Sequence, residues 1–201
     1  DGTVVDVALN TVKVQNWDLT FTIIPAHRFL EDSFKNYRGM EASGGRRIER
    51  SIYIDLRSIR FLRPDEIEGF KRFYLLREYF DSKLNELSAW TAEHPEALEH
   101  PVNSRRLTNI GTFRHYVIRY LRSRPDIHQS DHDFIIRQLE PTATGLPLEI
   151  YVFVKDTRWA VYENVQSDIF DHLLAILPEF GLRLFQNPSS WDEKPPALHA
   201  A

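Results

Sequence analysis

A chain of 201 residues, 42% hydrophobic and 12% aromatic, carries enough apolar side chain to build a core, which excludes a wholly disordered protein. Its formal charge of -4, from 25 basic against 29 acidic residues, excludes a polycation that coats nucleic acid along its whole length. The absence of cysteine excludes disulfides, zinc ribbons and thiol chemistry, and no stretch reaches the ~20 consecutive apolar residues of a membrane helix.

Three short β-patterned runs open the chain: Val4–Leu9, Thr11–Gln15 and Leu19–Pro25. Alternation places Val5, Val7 and Leu9, then Val12 and Val14, then Leu19, Phe21 and Ile23 on one face of a small antiparallel sheet. Asn16-Trp17-Asp18 stands where a hairpin turn should, without the glycine that makes such a signal strong. Pro25 ends the third run, having no N–H to give a ladder. A chain that begins inside β-structure, with neither signal peptide nor initiator methionine, reads as a soluble piece of something longer. Gly39, Gly44 and Gly45 then crowd one short stretch, which predicts a hinge and a domain junction, with one unit over 1–42 and a second over 43–188.

The second unit opens with a strand over Ile48–Leu56. One long helix follows from Asp65 to about Trp90, because Ile67, Phe70, Phe73, Leu76, Phe80, Leu84 and Leu87 step by three or four residues. Glu93–Pro101 reads as a loop. A helix over Thr112–Arg122 buries Phe113, Tyr116, Val117, Tyr120 and Leu121, and Pro125 stops it. Strands over Phe134–Leu139 and Leu148–Val154 flank the turn 141–145, a last helix covers Val161–Leu177, and Leu182–Phe185 forms a final strand. With the Arg-rich stretch of about 91–130 set aside as an insertion, the order is strand, helix, strand, strand, helix, strand. The expected fold class is therefore α+β: a partial antiparallel β-domain, then a ferredoxin-like domain with an inserted helix. Residues 189–201 read as a disordered tail.

Charge is unevenly placed. Residues 103–124 hold Arg105, Arg106, Arg114, Arg119, Arg122 and Arg124 and no acid, whereas Asp126–Glu179 is rich in acids. Such asymmetry marks surfaces that meet across an interface or face a polyelectrolyte, against the plainer reading of solvated helix faces. Enzyme chemistry finds little support, since no phosphate-binding loop, nucleophile elbow or zinc-protease helix is present. His128 and His132, beside Asp131 and Asp133, are the nearest approach to a metal cluster; a polar connecting loop is the plainer account. Glu163, Asp168 and Asp171 fall mostly opposite the apolar face of the last helix and read as solvated surface. Arginines interleaved with Phe113, Tyr116 and Tyr120 suit a nucleic-acid binder, but those aromatics share the buried stripe of an amphipathic helix. No catalytic, metal or cofactor site is assigned.

Several motifs together carry a family resemblance. They are Asp1–Val7, Thr11–Val14, Ile23-Ile24-Pro25, Asp32–Gly39, Ser43–Ile48, Pro101–Gly111, Gly145–Tyr151 and Asp168–His172. The chain resembles the cytoplasmic portion of small-conductance mechanosensitive channels, in their miniconductance branch, over nearly all of residues 1–188. One departure is Ala26, where the family pattern Ile-Pro-Asn has asparagine. The resemblance implies an Sm-like β-domain and an α/β domain that hang beneath transmembrane helices and assemble as a heptameric cage with side portals. It implies a pore N-terminal to this chain and permeating ions as its traffic. Gly39, Gly44 and Gly45 then become hinge candidates, and Arg46, Arg47, Arg105, Arg106 and Arg114 become interface or portal candidates. The runner-up reading is an Sm-like RNA-binding module; an enzyme is third.

Overall fold

A computed structural model describes residues 1–187; the expected tail over 189–201 lies outside the described residues. The chain divides into two compact units, Asp1–Ala42 and the remainder from Ser43.

In the first unit, β1 (Gly2–Val7), β2 (Thr11–Asn16) and β3 (Phe21–Pro25) form an antiparallel meander in that order. The β2–β3 hairpin closes through Asn16 N donating to Thr20 O at 2.8 Å and Leu19 N donating to Asn16 O at 3.0 Å. Leu19 takes the left-handed φ of 69° that glycine usually supplies, so the turn forms without the expected signature. This three-residue loop sets Val12 opposite Ile24, Val14 opposite Thr22 and Gln15 opposite Phe21. Phe21 and Ile23 therefore share a face with Lys13 and Gln15, not with Val12 and Val14, which corrects the single apolar face expected from alternation. A bulge at Val5 completes the change, placing Val4 opposite Val14 and Val7 opposite Val12. Among the described side chains of this unit only Val12 counts as buried, while Val7 is 69% and Ile23 64% exposed. Two short helices follow, α1 (Arg28–Glu31) and α2 (Arg38–Ser43).

The second unit is built on β4 (Arg46–Ile54), β5 (Ile135–Gln138) and β6 (Leu146–Val154), with strand order β4–β6–β5 and every pair antiparallel. Beyond β4, Leu184 bridges Ile54, flanked by Asp55 N donating to Arg183 O and Phe185 N donating to Tyr53 O, each at 2.9 Å. The expected final strand is thus a single bridge, but it occupies the edge position that completes the ferredoxin-like order, fourth-first-third-second. The fold class is α+β, as the element order implies.

Among the described residues this unit adds four longer helices: α3 (Pro64–Phe70), α4 (Arg77–Glu93), α5 (Asn109–Ser123) and α6 (Trp159–Ile176). The single helix expected from 65 to 90 is broken into α3 and α4 by a 3₁₀ turn over Tyr74–Leu76. A continuous helix would set Phe70 and Leu76 roughly 120° apart. The break lets both enter one core, where the Phe70 and Phe180 rings stack at 5.1 Å. The helix from the stretch set aside as an insertion, α5, is packed into that core through Ile110, Phe113, Val117 and Leu121.

The start of α5 is fixed by two side chains, three residues ahead of the expected start. Thr108 Oγ1 accepts from Gly111 N at 3.1 Å, a side-chain N-cap. Asn109, fully buried, accepts from Arg60 N at 3.0 Å and donates through Nδ2 to Ser58 O at 2.8 Å, which staples the 58–60 segment to the helix. At the start of α3, Glu66 accepts from Arg63 N at 2.9 Å and pairs with the Arg60 guanidinium. The Arg60 bonds, aided by Arg63 N, hold the Glu66 carboxyl at about 2.

Two predictions follow from these staples. Asn109→Ala leaves buried backbone groups without partners and should cost about 3 kcal/mol in urea denaturation, against about 1 kcal/mol for Thr108→Ala. Glu66→Gln should cost about 1–2 kcal/mol at neutral pH. Because the Glu66 carboxyl lies below its ordinary value of 4.5, its contribution is whole above about pH 4.5 and fades as pH falls toward about 2. The gap between wild type and Glu66→Gln should close over that window.

Candidate functional site

Register assigns the two faces of the second sheet. Ile48, Ile52, Ile54, Leu148, Ile150 and Val152 are buried on one side. The other side presents Arg47 and Glu49 from β4, Glu149, Tyr151 and Phe153 from β6, and Arg137 from β5. Arg47 pairs with Glu49 at 2.8 Å and donates to the Tyr151 hydroxyl at 3.4 Å. Arg137 Nε meets Glu149 at 2.6 Å, and Glu149 is only 6% exposed. A carboxylate so covered depends on its partner, since removing one member of such a pair strands a charge out of water. Arg46 points the other way, toward α6: its guanidinium lies 4.7 Å from the Tyr162 ring centre and donates to Thr157 O at 3.3 Å. The two neighbouring arginine candidates therefore serve opposite faces.

The three glycine candidates differ in kind. Gly39 lies in α2 with open space around its Cα. Gly44 takes φ of 66° directly after α2, the left-handed residue that commonly ends a helix. Gly45 is buried, and a Cβ there would meet Nε2 of His132 at 2.5 Å, so its role is close packing. His132 lies against Phe153 with ring centres 4.7 Å apart and against His128 at 4.2 Å, and His128 Nε2 reaches Gly44 O at 3.0 Å. The two imidazoles meet ring to ring, and no group of three or more His, Asp or Glu able to hold a metal occurs among the described residues.

Half of the acid-free arginine run is neutralised by acids from other segments. Arg105 pairs with Glu86 at 2.8 Å, Arg119 with Glu78, and Arg124 with Asp126 at 2.6 Å and with Asp168. The charge asymmetry of the sequence thus marks, in part, surfaces that meet inside one chain. Arg106 lies 4.5 Å from the Phe61 ring centre. Arg114 forms no ion pair among the described residues; with Arg119 it adds to burial in lowering the pKa of His115, whose ring stacks on Tyr79 at 4.0 Å. Phe113 and Tyr116 are buried, so they offer no free platform for stacking bases, and nothing in this geometry favours the RNA reading. Glu163 accepts from Trp159 Nε1 at 2.9 Å, and Asp168 serves Arg124. Sequence reasoning missed Asn109, the Arg137–Glu149 pair and the His132–Gly45 contact. Of these, only the adjacent glycines ahead of a strand left a readable trace.

Two family models match this chain. Residues 1–39 match the mechanosensitive ion channel β-domain, and residues 91–184 match the C-terminal domain of the mechanosensitive ion channel MscS. The chain belongs to the MscS family of mechanosensitive channels and carries those two domains of it. Among solved structures it is similar to the MSL1 channel of Arabidopsis thaliana seen by cryo-electron microscopy. That match has 12% identity and a TM-score of 0.56, covering 92% of this chain and 49% of that one. A second structure, of wild-type MSL1, matches at 13% identity and a TM-score of 0.54, covering 92% and 47%. At these identities the likeness is one of fold, and the chain spans about half the length of those channels. Among the described residues no helix is long and apolar enough to cross a membrane.

The glycine assignments make a prediction. Gly45→Ala should destabilise the second unit by about 1–3 kcal/mol through overpacking against His132. Adding His132→Ala should recover part of that loss in a double-mutant cycle, whereas Gly44→Ala should cost about 1 kcal/mol with no such rescue.

Proposed function

We propose that this chain is the aqueous vestibule portion of a tension-gated channel that releases ions and osmolytes when a cell swells. The observation that carries the reading is the first unit. It matches the family's β-domain, exposes most of its apolar side chains, and leaves β1 and β3 each with a single neighbour. Such a sheet gains by pairing its edges with copies of itself, and a closed ring removes the edges altogether. A homo-oligomer, a heptamer in the full channel, lies beneath transmembrane segments N-terminal to Asp1 on the cytoplasmic side of a bacterial inner membrane. The motifs Asp32–Gly39 and Pro101–Gly111 support a miniconductance-type member. In the second of these, Thr108-Asn109-Ile110-Gly111 is the cap-and-staple at the head of α5.

Repetition around one axis multiplies every local charge, so even a few arginines set a vestibule field. In this reading Arg106 and Arg114, which no carboxylate neutralises among the described residues, contribute to that field, and Arg46, Arg47 and Arg105 hold local structure. Gly39 and Gly44 supply the bend as the pore opens, and Gly45 anchors its lower side.

Expression of the whole gene in osmotically fragile cells that lack such channels tests the function. Survival of a sudden dilution, with tension-activated currents in excised patches, is the expected result; a well-expressed membrane product giving neither would sink the reading. The double variant Arg106→Glu, Arg114→Glu should move the reversal potential in a salt gradient toward cation preference while leaving the tension threshold in place. Light scattering of the isolated chain should give a mass several times 23.6 kDa.

A further inference from the structure

A cavity of about 400 Å³ opens between α5, α6 and the connector from α3 to α4, well away from the open sheet face. That volume falls in the range of small-molecule pockets, which are mostly apolar with a few converging polar groups. Tyr116 and Tyr120, one turn apart on α5, present parallel rings 6.3 Å apart, and His172 of α6 stacks on Tyr120 at 4.3 Å. Phe73 and Tyr74 close the connector side and Ile176 the base. The wall is thus largely ring surface, suited to a flat π-system that stacks or meets ring edges.

Its polar groups are few and mostly committed. The Tyr116 hydroxyl and His172 Nε2 bond each other at 2.9 Å, and Tyr120 Oη accepts from Arg124 at 2.9 Å. Arg124 is itself neutralised by Asp126 and Asp168. Arg72, at the mouth, forms no ion pair among the described residues, although Lys71 beside it pairs with Glu68 at 2.6 Å. An aromatic slot with one uncommitted guanidinium at its entrance has a definite complement: a planar ring system bearing a single carboxylate.

We propose that this pocket binds small aromatic carboxylates, ring laid against Tyr74, Tyr120 and His172 and carboxylate toward Arg72. The proposal does not depend on the channel reading, since every residue in it belongs to the second unit. The site lies where α6, whose Phe170 and Ile169 pack in the sheet core, meets α5, so an occupant would fasten those helices to each other.

Titration of the ¹⁵N-labelled chain with 2-naphthoate, and with 2-naphthamide as its neutral twin, tests the assignment. Saturable shifts should centre on residues 72–75, 116, 120, 172 and 176, with a Kd of about 1 mM or tighter, as expected of so small a ligand. The amide should bind several-fold more weakly. Arg72→Gln, an exposed change that leaves the core intact, should erase the difference between the two probes, and Tyr120→Ala should weaken both. Equal affinity of the two probes, an unchanged preference in Arg72→Gln, or shifts centred on other surfaces would overturn the proposal.

Discussion

One phenyl ring organises the second unit. Phe180 sits in the 3₁₀ turn after α6 and is 1% exposed. Its ring meets Phe70 at 5.1 Å, Phe113 at 5.2 Å, Tyr116 at 5.4 Å and Phe73 at 6.1 Å. Those partners come from α3, from the connector after it and from α5, so a single side chain joins every helical layer that covers the sheet except α4, which enters through Phe80 and its stack on Phe70. Offset and edge-on ring pairs add to simple area burial, and a core closed this way ties α5 to the turn that follows α6. Gly181, in the left-handed region with φ of 64°, then turns the chain away so that Leu184 can reach Ile54.

Electrostatics follows the same division between what is central and what is peripheral. Most ion pairs here are exposed and worth little singly. Three differ: the nearly buried Glu149 with Arg137 across β5–β6, Arg124 gripping both Asp126 and Asp168, and Arg60 with the largely covered Glu66. The second links the end of α5 to the middle of α6, from a residue that belongs to the arginine-rich run to one that belongs to the acidic stretch. Local charge imbalance along a sequence is thus resolved in space only in part: within the run Arg106, Arg114 and Arg122 have no carboxylate partner among the described residues, and Arg122 donates instead to Gln129 O.

The element order was legible because periodicity reports which residues must leave water, and nine-residue strands such as β4 and β6 announce themselves. Where the reading erred, a non-local contact had overruled a local pattern. Helix periodicity across 65–90 could not show that Phe70 and Leu76 enter one core, and alternation in β1–β3 could not show a bulge at Val5 or a left-handed Leu19. The candidate site was legible only in part, for the same reason. Arg46 and Arg47 are adjacent in sequence yet serve opposite faces, and Gly45 looks like a flexible residue until His132, far along the chain, is placed upon it. The stapling role of Asn109 leaves no periodic trace whatever, being a matter of three backbone groups brought to one amide.

The bareness of the first sheet has a kinetic side. A three-stranded meander with one buried valine has little cooperative stability of its own, while the second unit closes around an extensive core drawn from a single chain. Under the ring assembly proposed above, newly made copies would mature in two tempos: the carboxyl-side unit on each polypeptide alone, the amino-side ribbon only once a neighbouring copy covers it. Crowding of nascent copies would then govern how quickly the finished particle emerges, and dilution would leave molecules half mature, with one end rigid and the other still exchanging its amide protons freely with the solvent.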